Sequence, residues 1–91
     1  MAPQNQIEQQ AKVFGLFSDP TRLKILRLLA GSDSINVSDL AKGVGMSVAC
    51  ISHHLQLLRD NSVVSASRAG NSIYYKLKPD KLIKQLISLI K

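Results

Sequence analysis

The chain is poor in aromatic residues, with two Phe, two Tyr and no Trp in 91 positions, and it has a single cysteine, Cys50. One thiol excludes an internal disulfide and any multi-cysteine metal cluster within one chain. With so few rings, a core has to be built from Leu, Ile and Val. No apolar run approaches the ~18 residues that span a bilayer. The polar start, Met1 to Gln10, lacks the form of a secretory signal, so the expectation is a cytoplasmic protein with no membrane partner. Acidic residues are also scarce: 6 Asp and Glu stand against 12 Lys and Arg, a formal net charge of +6 at pH 7. That balance suits a polyanionic partner, nucleic acid before a membrane surface. Catalytic inventories fail: there is no phosphate-binding Gly loop and no pair of carboxylates. Ser52, His53 and His54 are neighbours, but adjacent helix positions point in different directions and no orienting acid is evident. Neither catalytic residues nor a cofactor is expected.

What is present reads as one small domain spanning residues 1–91, without repeats or a linker. Met1 to Asn5 reads as frayed. Ile7, Ala11, Phe14 and Leu16 or Phe17 then recur at helical spacing and predict a first helix over about 6–17. Asp19-Pro20 supplies a cap followed by a residue whose missing N–H costs nothing in a first turn. A second helix therefore runs from Pro20 to about Ala30, with Leu23, Leu26 and Ala30 on one face and Arg22, Lys24 and Arg27 on a polar side. Gly31 ends it, and Ser32 to Ile35 is a loop. Val37, Leu40, Ala41 and Val44 fall at i, i+3, i+4 and i+7, a third helix. Gly43 and Gly45 close that helix and permit a tight turn. Ser47 caps a fourth helix with Ile51, Leu55 and Leu58 inward. From Val63 the period changes to two, giving strands at 63–68 and 72–77 around the turn Ala69-Gly70-Asn71. Pro79-Asp80 opens a last helix, at about 79–90.

Val37 to Arg59 is the most informative stretch. Two short helices joined by a Gly-containing turn are the sequence form of a helix-turn-helix, whose second helix can enter the DNA major groove. The fold class expected is mainly α with a β-hairpin wing, in the order of four helices, two strands and one helix: a winged helix-turn-helix.

The wording of the chain goes further. Asp19-Pro20-Thr21-Arg22 leads into Leu23-Lys24-Ile25-Leu26; Val37-Ser38-Asp39-Leu40-Ala41 precedes Ser47; Ile51 to Arg59 reads ISHHLQLLR; and Tyr74-Tyr75-Lys76-Leu77 closes the hairpin. This ordered set resembles the ArsR-type (arsenic-repressor) family of winged-helix transcriptional regulators over about residues 8–90. The resemblance implies a homodimer that sits on an operator in double-stranded DNA and represses transcription. It also implies that the first and last helices form the dimer interface, which here points to Ile7, Ala11, Phe14, Leu82, Ile83, Leu86, Ile87 and Ile90. The family usually has Gly just after the recognition helix; this chain has Asn61-Ser62, and because Asn61 can adopt a left-handed helix end at modest cost, the fold is expected to tolerate the change.

Base reading needs hydrogen-bonding or methyl-contacting side chains on an exposed helix face. Val48, Ala49, Cys50, His53 and Gln56 occupy that face of the fourth helix. Ser47 and Ser52 are short hydroxyls placed for phosphate. Arg59, Arg68 at the hairpin edge, and Gly70 and Asn71 at its tip add the remaining contacts. His54 is expected to pack or hydrogen-bond inside. If a dimer neutralises about eight phosphates, log affinity falls with log salt at a slope near −7. The two recognition helices would lie about 34 Å apart and read an inverted repeat. The fourth helix holds no Lys or Arg between Ser47 and Leu58, which leaves a protein-binding winged-helix module as the alternative. Relatives that sense metal do so through cysteines in the third helix, where this chain has Asn36 and Ser38, or through Asp and His ligands on the last helix, where it offers Asp80 and no histidine. No metal site is expected at those positions.

Overall fold

A computed structural model describes residues 4–90, with side chains from residue 6 onward. The elements are α1 (Gln4–Leu16), α2 (Pro20–Ala30), β1 (Ile35–Asn36), α3 (Val37–Val44), α4 (Val48–Asp60), β2 (Val64–Ala69), β3 (Ser72–Leu77) and α5 (Lys81–Ile90). The frayed start expected for Met1–Asn5 lies outside the described residues at 1–3, and α1 already includes Gln4 and Asn5.

The starts of α2 to α5 each follow from a side-chain acceptor. Asp19 accepts from the Arg22 N–H at 3.0 Å at the head of α2, with Pro20 in the first turn. Asn36 accepts from the Asp39 N–H at 2.8 Å, and Ser47 accepts from the Cys50 N–H at 3.1 Å. Asp80 accepts from the Leu82 N–H at 2.9 Å and the Ile83 N–H at 3.3 Å, heading α5. These bonds satisfy N–H groups that a helix start leaves without intrahelical partners.

β1 was not expected; two residues are too short for a period to show. It pairs antiparallel with β3 through Ile35↔Tyr75 and Asn36↔Tyr74, making a three-stranded sheet in the order β1-β3-β2. The hairpin runs in register from Val64↔Leu77 to Ala69↔Ser72, leaving a two-residue loop, Gly70-Asn71. Gly70 has φ +63° and Asn71 does not share that sign, the pattern of a II′ turn, where glycine at the first loop position carries the positive φ.

The core joins Ile25, Leu26 and Leu29 of α2, Leu40 and Ala41 of α3, and Ile51, Leu55 and Leu58 of α4 to Val63 and Val64 at the start of the hairpin. No polar side chain is buried among the described residues.

The structure sorts the apolar stripes at the two ends of the chain. At the end of α1 the inward residues are Val13, Leu16 and, in the turn that follows, Phe17, whereas Ile7, Ala11 and Phe14 lie on an exposed face. On α5, Ile83, Leu86 and Ile87 are only 4%, 8% and 6% exposed within the chain itself. A small domain short of aromatics uses those residues for its own core, so they have little surface left for a partner. Leu82 and Ile90 are half-buried, and Leu89, apolar like them, is 80% exposed.

The end of α4 accommodates Asn61-Ser62 through the second of the two residues. Asn61 keeps φ −101°, and Ser62 takes φ +60°. The Val63 N–H donates to Leu58 O at 2.9 Å and the Ser62 N–H to Arg59 O at 3.0 Å. That is a Schellman ending with Ser62 in the left-handed position. Asn61 is occupied otherwise: its side-chain amide donates to Leu57 O at 2.9 Å.

Candidate nucleic-acid interface

The turn between α3 and α4 fixes how α4 leaves the body. Gly45 caps α3 with φ +79°, a conformation L side chains rarely adopt, and the Gly45 and Met46 N–H groups both donate to Ala41 O, at 2.8 and 3.0 Å. Gly43 lies where α2 presses on α3: a Cβ there would come within 2.8 Å of Leu28 Cδ1. With Ile51, Leu55 and Leu58 wholly buried, the opposite side of α4 must face out. Val48, Ala49, Ser52, His53, Gln56 and Arg59 are exposed there, as is the Ser47 cap.

Three of the expected contacts are modified by local partners. Cys50 is half-buried, with Sγ 3.9 Å from the Met46 sulfur, so its thiol turns toward the head of the helix. Met46 itself is 41% exposed and extends the apolar surface of Val48 at that end; periodicity missed it because it lies in the turn, outside any repeat. Gln56 donates from Nε2 to Asp60 Oδ1 at 2.8 Å. It therefore holds one amide hydrogen and its carbonyl oxygen for a base, beside a carboxylate that the sequence reading did not weigh. His53 stays exposed, its ring edge-on to that of His54 at 6.1 Å between centroids.

The wing completes the surface. Arg59, from the last turn of α4, and Arg68, from β2, border one shallow cavity of about 200 Å³ together with Ala66, Ser67 and Ile73. The helix end and the hairpin thus bring their arginines to a common cleft. Gly70 and Asn71 are exposed at the hairpin tip. The surface consists of short hydroxyls, methyls, one amide and one imidazole on a protruding helix, with guanidinium groups where helix and wing meet. Small groups on the helix suit base edges, and the cations suit phosphates.

Helix-turn-helix, protruding α4 and β-hairpin together define a winged-helix DNA-binding protein. Residues 19–66 match the family model described as bacterial regulatory protein, arsR family, and the chain belongs to that family of transcription regulators. It is 48% identical over 65 residues to the transcriptional repressor SdpR of Bacillus subtilis, covering 71% of each chain. It is 36% identical to an HTH-type transcriptional regulator of Methanocaldococcus jannaschii, over 91% of this chain and 92% of that one. Among solved structures, it superposes with TM-score 0.82 and 30% identity on a homodimeric winged helix-turn-helix DNA-binding domain from Mycobacterium bovis, a possible ArsR-family regulator, covering 99% of this chain and 86% of that one. No described helix is long and apolar enough to cross a membrane.

Proposed function

We propose that this protein is a homodimeric repressor that reads an inverted-repeat operator, α4 entering the major groove and the hairpin lying along the flanking phosphates. The observation that carries the proposal is the exposed face of α4, Val48 through Gln56, left outward by the burial of Ile51, Leu55 and Leu58 and joined at its end by Arg59 and Arg68. Gln56 and His53 supply polar readout, Val48 and Ala49 meet thymine methyls, and Ser47 and Ser52 donate to phosphate. The dimer face consists of Ile7, Ala11 and Phe14 of α1 with Leu82, Leu89 and Ile90 of α5. Ile7 and Phe14 are 50% and 53% exposed, and with Ala11 they put an apolar patch on one face of α1, the kind of surface that marks a protein contact. A homodimer in the Mycobacterium bovis relative and a repressor in SdpR support the same reading. Such a regulator works in the cytoplasm, where the operator is.

The usual metal-sensing positions serve other ends here. Asn36 caps α3, and its Nδ2 also donates to Asp39 Oδ2 at 3.1 Å; Asp80 caps α5. We infer that release from the operator does not run through metal at these sites.

Titration against random duplex DNA, then against a selected duplex pool, at several salt concentrations, tests the proposal. A preferred palindromic site with a log–log salt slope near −7 is expected for about eight phosphate contacts. Equal, weak binding to every duplex contradicts it and favours a winged-helix module that binds protein.

A further inference from the structure

Arg22 is the side chain whose position the sequence pattern describes least well. Helical spacing puts it among the solvated charges of α2, yet it is half-buried and reaches in two directions. Its Nε–H donates to Leu16 O at 2.9 Å, and its Nη1 lies 3.3 Å from Nδ1 of His54.

The first bond closes α1. The last four carbonyls of a helix have no intrahelical partner. Here Val13 O and Phe14 O take the Phe17 N–H, Gly15 O takes the N–H and hydroxyl of Ser18, and Leu16 O takes Arg22. A cation at that end also opposes the negative pole of the helix.

The second bond sets the state of His54. A guanidinium carries five N–H donors and no acceptor, so Nδ1 of His54 must accept. The tautomer that fits this contact carries its proton on Nε2. The titratable groups around the pair are Asp19, whose carboxylate feels Arg22, and His53 on the neighbouring position of α4.

One side chain thus spans the end of α1, the head of α2 and the middle of α4. We propose that Arg22 is a positioning residue for DNA binding, tying the recognition helix to the end of α1 through the Nε2–H tautomer of His54. The pose of α4 then follows the position of α1, the helix whose outer stripe is assigned to the second subunit. This inference rests on the proposed reading of α4 as the groove-entering helix.

Imidazole ¹⁵N NMR of the full-length protein, without DNA, tests the geometry by itself. His54 is expected as the Nε2–H tautomer in the wild type and as a tautomer mixture in Arg22→Met; an Nδ1–H ring in the wild type overturns the proposal. That spectrum stands even if Arg22→Met does not fold, and it does not depend on the protein's affinity for DNA. In titrations with the selected duplex, Arg22→Met and His54→Leu should each weaken binding about tenfold, the loss typical of one hydrogen bond to a charged group. The double variant should lose no more than either single one. His54→Asn, whose Oδ1 can replace the Nδ1 acceptor, should recover most of the loss. Additive losses, or no recovery with Asn, contradict the coupling. A salt slope about two units shallower in Arg22→Met, one per half-site, would mean that Arg22 touches phosphate directly, and would also overturn the proposal. If the wild type shows the expected tautomer but prefers no duplex, the groove reading fails and the Arg22–His54 contact stands.

Discussion

Ser62→Gly should stabilise this protein, and Asn61→Gly should destabilise it. Ser62 is the one described non-glycine residue with positive φ, at +60°. A left-handed conformation costs an L-residue about 1–2 kcal/mol. Glycine removes that strain but gives the unfolded chain about 0.5–1 kcal/mol of extra freedom. The difference is a gain of about 0.5–1 kcal/mol, on the order of 3–6 °C in Tm for a domain this size. Asn61 has ordinary φ, and its amide donates to Leu57 O at 2.9 Å. Glycine there loses that bond, about 0.5–1.5 kcal/mol, and adds unfolded-state freedom as well. Thermal and urea unfolding at one fixed protein concentration measures both variants; the concentration must be held because dimer stability depends on it. Ser62→Ala is the control: it keeps the left-handed strain and should show no gain. A Tm that rises with Asn61→Gly and not with Ser62→Gly would place the left-handed residue one position earlier and refute the Schellman assignment.

Phe14→Glu should convert the dimer to monomer in sedimentation velocity and abolish tight operator binding, while circular dichroism keeps its helical signal; a dimer that persists would move the interface off α1. Arg59→Ala and Arg68→Ala should weaken binding to all duplexes alike and flatten the salt slope by about two units each, one per half-site. Replacing His53 and Gln56 with Ala should instead relax the preference for the selected site, and equal losses on every sequence would show that those side chains do not read bases. Asp19 gives a pH dependence of known sign. The hydrogen bond from the Arg22 backbone N–H holds its carboxyl below the usual 3.8; partial burial opposes that, and the charge of Arg22 reinforces it. A depressed carboxyl stabilises the folded state above pH 3.8, and the contribution disappears as pH falls through the lower folded value. Asp19→Asn should therefore unfold with less pH dependence in that acid window than the wild type, and an unchanged acid limb would contradict this.

Much of the fold was legible because capping and period are local. Asp19-Pro20, Ser47 and Gly45 mark their helix ends by chemistry that needs no partner, and the structure has them in those roles. The inward stripe of α4 could be read from spacing alone, and its outward face followed by subtraction. What escaped depends on tertiary partners. β1 is two residues whose only definition is pairing with Tyr74 and Tyr75. Val13 carries the inward side of α1, but spacing could not decide between two apolar stripes on one helix. Ile83, Leu86 and Ile87 are apolar whether they face the chain's own core or a second copy; the burial of their surroundings decides. Arg22 and Gln56 looked like free polar groups, and only the approach of His54 and Asp60 shows them engaged. Ser62, not Asn61, is left-handed, and the Asn61 amide binds Leu57 O, a contact spacing does not show.

Contact mapping on the selected duplex tests the central claim most directly. Guanine methylation protection and hydroxyl-radical cleavage would be read from the bound dimer. Two patches of major-groove protection about one duplex turn apart on the same side of the DNA, each flanked by protected sugars, are the expected result. A single patch, or protection confined to the minor groove, would contradict the claim that each copy of α4 enters its own major groove.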